Sequence, residues 1–173
     1  MKKFYYTALC AVAFIGVTTL ISSCKSDSTT PTPQEFIADN TTFSSFAGWA
    51  VGGTFHGANP SLGGMAHGGN DTSVTRVVHF KDDQNRVNGK FPTGTLVVKQ
   101  STSPAGMNEI TAMVKRGNNF NPNAGDWEFF MLTPTGTIAT DANGGVMRGA
   151  NLMDGMCAGC HKGASAKDYI FSK

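Results

Sequence analysis

The sequence predicts a mainly β domain: an antiparallel sheet with a few short helices. Two kinds of observation lead there. Only 15% of the 173 residues are charged and 21 are glycine, a balance suited to a turn-rich β protein rather than a helical bundle. β-Branched and aromatic runs recur along the middle of the chain with no helical pattern between them, which argues for strands that pair with their sequence neighbours as an antiparallel meander.

Residues 1–23 stand apart from that fold. Lys2 and Lys3 form a basic start, 4–20 an apolar core, and Leu20-Ile21-Ser22-Ser23 lead small residues into Cys24. This is the pattern of a lipoprotein signal peptide, cleaved before Cys24, whose thiol is then acylated. A plain signal peptide or a single transmembrane helix are the alternatives, and the apolar run is short for a span. Residues 24–35, the acylated cysteine and a Pro/Thr/Ser stretch, read as a flexible tether. Residues 36–173 read as the folded domain. The expected product is exported and lipid-anchored to a bacterial membrane, facing the periplasm or the cell surface.

Within the domain, Thr41 or Thr42 can cap a short helix entering Phe43 and Phe46. Residues 49–55 read as a first strand broken by Gly52-Gly53, and 58–70 as a long Gly-rich loop carrying His67. Residues 74–80 and 95–99 are β-branched strands, separated by the polar turn 81–85 and the turn Phe91-Pro92-Thr93-Gly94. After a loop at 101–106, residues 109–115 alternate, with Ile110, Ala112 and Val114 on one face and Thr111, Met113 and Lys115 on the other. Residues 117–125 are an Asn/Pro/Gly loop, 126–132 an aromatic strand, and 135–140 a continuation of the ladder. Beyond Gly144-Gly145 the pattern changes: 146–156 reads as short and helical, and 165–171 as a last helical turn.

Charge excludes some partners. Cleavage after residue 23 removes Lys2 and Lys3 and no acid, so 14 basic residues become 12 against 12 acidic ones. The mature chain is neutral. It carries no electrostatic footprint for nucleic acid and no polybasic stripe for a membrane surface.

Chemistry concentrates at Cys157-Ala158-Gly159-Cys160-His161. Cys-x-x-Cys-His is the c-type haem attachment pattern: two thiols add across the haem vinyl groups, and the adjacent imidazole can ligate the iron. A thioredoxin-like redox pair, a metal clip or an ordinary disulfide are the alternatives. A structural zinc site wants four ligands, and no second cysteine pair exists to complete one. With Cys10 in the signal and Cys24 acylated, haem attachment uses the remaining thiols, although the exported compartment would permit a disulfide. Twelve residues follow His161, too few for a long downstream segment supplying a sixth iron ligand.

Three stretches carry a family resemblance. They are Phe91 to Gln100 (Phe-Pro-Thr-Gly-Thr-Leu-Val-Val-Lys-Gln), Gly125-Asp126-Trp127-Glu128-Phe129-Phe130, and the haem motif followed by Ala164 and Asp168-Tyr169-Ile170-Phe171. Trp49 falls where an early Trp is expected. In order and spacing they resemble the cytochrome P-460 and cytochrome c′-beta family, over roughly Phe36 to the C-terminus. The resemblance implies a mostly antiparallel β domain with haem attached near the C-terminus. His161 would be the only axial protein ligand of a five-coordinate iron.

In the P-460 branch a strand lysine bonds covalently to the haem edge. Lys99 matches it, and a solvent-facing lysine is the alternative. That branch binds and oxidises hydroxylamine beside a distal carboxylate just before the motif. Asp154 is the nearest acid there. Glu128 is a second candidate, since alternation sets it opposite Trp127 and Phe129; surface carboxylates are the alternative for both. The c′-beta branch has an apolar, Phe-lined pocket for nitric oxide, which the ten phenylalanines left after Phe4 and Phe14 are removed from twelve could line.

His56, His67 and His79 are possible sixth ligands or distal donors. Met147, Met153 and Met156 could ligate iron or simply pack the haem edge. Arg148 could pair with a haem propionate. The expected protein is therefore a lipid-anchored mono-haem c-type cytochrome with one covalent haem c per chain. It would bind and oxidise hydroxylamine, pass electrons to a redox partner protein, and have a homodimer among the assemblies open to it. The other readings are a non-enzymatic nitric oxide binder and a plain electron-transfer cytochrome.

Overall fold

The structure is a computed structural model that describes residues 34–62 and 66–173. The expected signal peptide, the lipidation site Cys24 and nearly all of the tether lie outside the described residues. The core of the fold is one six-stranded antiparallel sheet. Its strands are β1 (Ala50–His56), β2 (Thr75–Phe80), β3 (Leu96–Thr102), β4 (Asn108–Lys115), β5 (Trp127–Leu132) and β6 (Arg148–Gly149). They lie in the order β1-β2-β3-β4-β5-β6, so every strand pairs with its neighbours in sequence, as the meander expectation required. One α-helix, α1 (Met156–His161), and several short 3-10 turns complete the described residues.

Both faces of the sheet are covered, and this explains why its strands read as near-continuous apolar runs. On one face Leu96, Val98, Ile110, Ala112, Val114, Phe130 and Leu132 pack against Ala38, Phe43 and Phe46 from the N-terminal segment. On the other, Val78, Phe80, Val97, Met113, Trp127 and Phe129 pack against Leu152 and Ile170, with Cys157, Ala158 and Tyr169 at the margin. The alternation read in 109–115 is therefore the division between two cores. Trp127, Phe130, Phe43 and Phe80 are fully buried, each contributing about 1.5–3 kcal/mol relative to exposure.

β1 carries a bulge. Val51 faces His79 and Gly53 faces Val78, so Gly52 is the extra residue. A Cβ at Gly52 would sit 2.4 Å from the Phe80 ring, so the bulge lets that ring close the core.

Several local expectations need correction. Residues 146–156 are not helical. Arg148–Gly149 joins the sheet beside β5, and a turn follows in which Met153, Asp154 and Gly155 all have positive φ. The helix begins only at Met156 and is made of the haem motif itself. Residues 165–171 are likewise not one turn of helix: a 3-10 segment, Lys162–Lys167, ends at the left-handed Asp168 and Tyr169. Neither threonine caps a helix near 41–42. Asp39 organises a turn there, its Oδ1 accepting the Thr41 N–H at 2.8 Å, and only a 3-10 segment, Phe46–Gly48, follows. β3 runs on through Ser101 and Thr102, where a loop was expected, because Ser101 pairs with both Arg76 and Glu109.

Candidate functional site

The helix α1 presents the motif. Cys157 and Cys160 are three residues apart, hence on one helix face, and both thiols are free and half-buried. His161 follows at the helix end, its ring between Phe129 and Phe171, each with its centroid 5.5 Å away. The His161 Nδ1–H donates to the Tyr169 carbonyl at 2.7 Å. That bond fixes the tautomer and leaves Nε2 with its lone pair free, the arrangement expected of a metal-ligating imidazole. Burial pushes the His161 pKa down to about 4, so the ring is neutral at pH 7, the form that binds metal. Burial also raises the Cys157 pKa, so the thiol is protonated.

These groups open onto a cavity of about 350 Å³ between α1 and the sheet, within the usual range for a small-molecule or cofactor pocket. The sheet contributes one cross-strand row, Val78, Lys99, Thr111 and Met131, and all four line the cavity. Lys99 lies in the middle of that row. Desolvation there lowers its pKa to about 8, partly opposed by the negative charge of Glu109.

Glu109 begins a second row, with Arg76 and Ser101. His67 reaches it from the Gly-rich loop, Nδ1 to Oε1 at 2.5 Å. Burial lowers the His67 pKa. Burial alone would raise that of Glu109, but the hydrogen bond and the neighbouring cations outweigh it, and Glu109 titrates below its usual range. The pair is thus a neutral imidazole donating to a carboxylate. Arg76, only 3% exposed, anchors the loop by donating to the carbonyls of Gly57, His67 and Gly68 at 2.7–2.8 Å.

The structure brings Cys157, Cys160, His161 and Lys99 to one cavity. It does not bring Asp154 or Glu128 there. Asp154 is exposed in the turn before α1. Glu128 is 1% exposed on the opposite core side, where Arg148 grips it at 2.7 and 2.9 Å and Arg116 at 3.2 Å. Arg148 also donates to the Ala38 carbonyl at 2.7 Å, so it is not placed for a propionate. His79 is buried against Phe46, and His56 is exposed beside Thr75. Met153 and Met156 lie at the cavity rim.

The acid facing the cavity is Glu109. Its alternation with Thr111 and Met113 was readable, but the register that sets it beside Lys99 and the loop fold that brings His67 to it were not.

The residues fit a covalently held haem. Two free thiols one helical turn apart stand beside an imidazole with a free Nε2, all opening on one cavity. Fold and site together define a β-sheet protein with a C-terminal thiol–thiol–imidazole helix. A family model described as Cytochrome P460 matches residues 70–172, and the chain belongs to the cytochrome P460 family. That membership points to a c-type cytochrome. No curated protein and no solved structure matched the chain.

Proposed function

We propose that this protein is an exported, lipid-anchored c-type cytochrome that carries one covalent haem c and oxidises hydroxylamine. Cys157 and Cys160 would hold the haem through thioethers and His161 Nε2 would ligate its iron. Cys24 would carry the lipid. When bound, the haem would supply an iron able to take hydroxylamine or nitric oxide and to relay electrons. A redox partner protein would accept those electrons.

The observation that carries the reading is the polar corner beside the motif. An apolar gas needs no base, whereas hydroxylamine must lose protons as it is oxidised. The Glu109 carboxylate has Oε1 held by His67, leaving Oε2 to accept a proton from a substrate in the cavity. Lys99, with its pKa near 8, is roughly one-tenth free amine at pH 7, a nucleophilic nitrogen for the proposed haem-edge bond, which would replace a ring C–H and need a two-electron oxidant such as a peroxide. Phe129 and Phe171, both lining the cavity, favour the second reading, a nitric oxide binder of the c′-beta type.

The ferrous optical spectrum of the full chain, matured by a haem-ligation system, tests this beside Lys99→Ala. A strongly red-shifted Soret band that is lost in the variant is expected, with hydroxylamine turnover in the parent. A high-spin c-type spectrum unchanged by the substitution would remove the cross-link and favour nitric oxide binding. A six-coordinate low-spin spectrum would reject both.

A further inference from the structure

The C-terminal tail is held in a strained shape. Asp168 and Tyr169 are consecutive non-glycine residues with φ of 51° and 66°. A left-handed Asp is tolerated, but a left-handed Tyr is a conformational outlier that its surroundings must enforce. The same two residues sit at the centre of a dense set of bonds. The Lys115 ammonium donates to both Asp168 carboxylate oxygens at 2.8 Å, with side-chain exposures of only 9% and 4%. The Phe91 N–H donates to Asp168 Oδ2 at 2.8 Å, and the Trp127 indole N–H to the Asp168 carbonyl at 2.8 Å. The next carbonyl along the chain, that of Tyr169, accepts the His161 Nδ1–H.

We infer that Asp168 is a positioning residue for the axial imidazole: locked by Lys115 and Trp127, it holds the left-handed turn that aims the Tyr169 carbonyl at His161 Nδ1. This rests on His161 being the axial ligand. A carbonyl held on Nδ1–H raises the basicity of Nε2 and fixes the ring orientation. Strand β4 (Lys115), strand β5 (Trp127) and the turn before β3 (Phe91) thereby set the ligand strength of a histidine none of them touches through a side-chain hydrogen bond. Gly125 belongs to the same device: a Cβ there would lie 2.7 Å from the Tyr169 ring, so a larger residue would displace the turn.

The test uses the haem-loaded full chain and three variants. Asp168→Asn removes the charge, and Trp127→Phe removes the indole hydrogen bond while keeping a smaller aromatic ring. Arg86→Met removes bonds to the Lys167, Ile170 and Lys173 carbonyls, which hold the tail on either side of the turn without touching Asp168 or the Tyr169 carbonyl. The readouts are the ferrous iron–histidine stretching frequency and the midpoint potential. The frequency should fall and the potential rise in Asp168→Asn and, less, in Trp127→Phe, whereas Arg86→Met should lower the melting temperature and leave both readouts unchanged. If Asp168→Asn does not fold, Trp127→Phe decides. A parent protein with an iron–histidine band that neither variant moves overturns the inference and leaves the haem reading intact. A parent with no such band overturns both.

Discussion

Glu109 and His67 meet at 2.5 Å across the mouth of the cavity, one from the sheet and one from the loop that Arg76 fastens over it. A carboxylate held this way keeps its base form through neutral pH, since its pKa lies below the usual range. Glu109→Gln should therefore leave the haem spectrum intact and lower kcat for hydroxylamine by about a hundredfold or more, the usual size of a general-base contribution. Steady-state kinetics with an artificial electron acceptor would measure it. An unchanged kcat would remove Glu109 from the chemistry.

Lys99 should have opposite effects on the two forms of the protein. In the haem-free chain its folded pKa is about 8, against 10.5 unfolded. The unfolded state then binds more protons between those values, so this lysine opposes folding at pH 7 and its penalty fades as pH rises from 8 towards 10.5. Lys99→Met should stabilise the haem-free domain by about 1–3 kcal/mol at pH 7, read from urea denaturation, with the difference closing at alkaline pH. In the loaded protein the same substitution should destabilise if Lys99 bonds to the haem edge as proposed, because that tie would be lost.

Glu128 should matter for stability and not for chemistry. Its carboxylate is buried among Arg148 and Arg116, and removing one partner of a buried ion pair costs about 3–5 kcal/mol. Glu128→Ala should lower the denaturation midpoint accordingly, while the haem spectrum of the protein that remains folded stays that of the parent.

His161 gives the haem-free domain an acid-labile step. Its pKa is about 4 folded and 6.5 unfolded. The unfolded chain therefore takes up this proton first, and stability falls as pH drops from about 6.5 to about 4. His161→Gln should flatten that part of the stability profile, measured by thermal melts across the pH series.

Much of this was legible in the sequence, and for identifiable reasons. The period-two alternation at 110–115 gave both faces of β4, because strand geometry permits no other arrangement. The motif's three side chains, Cys157, Cys160 and His161, stand together at one cavity. Residues 146–156 misled because Val146, Met147, Met153 and Met156 carry an apolar spacing compatible with a helix. Positive φ at Gly149 and Gly155 and the capture of Arg148 by Glu128 broke that pattern. The pairing of Lys115 with Asp168 joins residues 53 positions apart. No local pattern encodes such a contact; it follows from strand register and from where the tail is laid.

The sheet ladder ends at Gly149, and residues 150–173 add no strand to it. What they add is the cover of one core face. Because each strand pairs with its neighbour in sequence, loop closure between strands is short-range, and the opposite face is packed by Phe36, Ala38, Phe43, Phe46, Trp49 and Ile138, none of them from residues 150–173. Assembly of the scaffold and closure of the cavity are thus separable in time. Under the proposed haem attachment, the thiols would be offered on an open tail with half of the interior already formed, and the tail's final docking would then close over the cofactor.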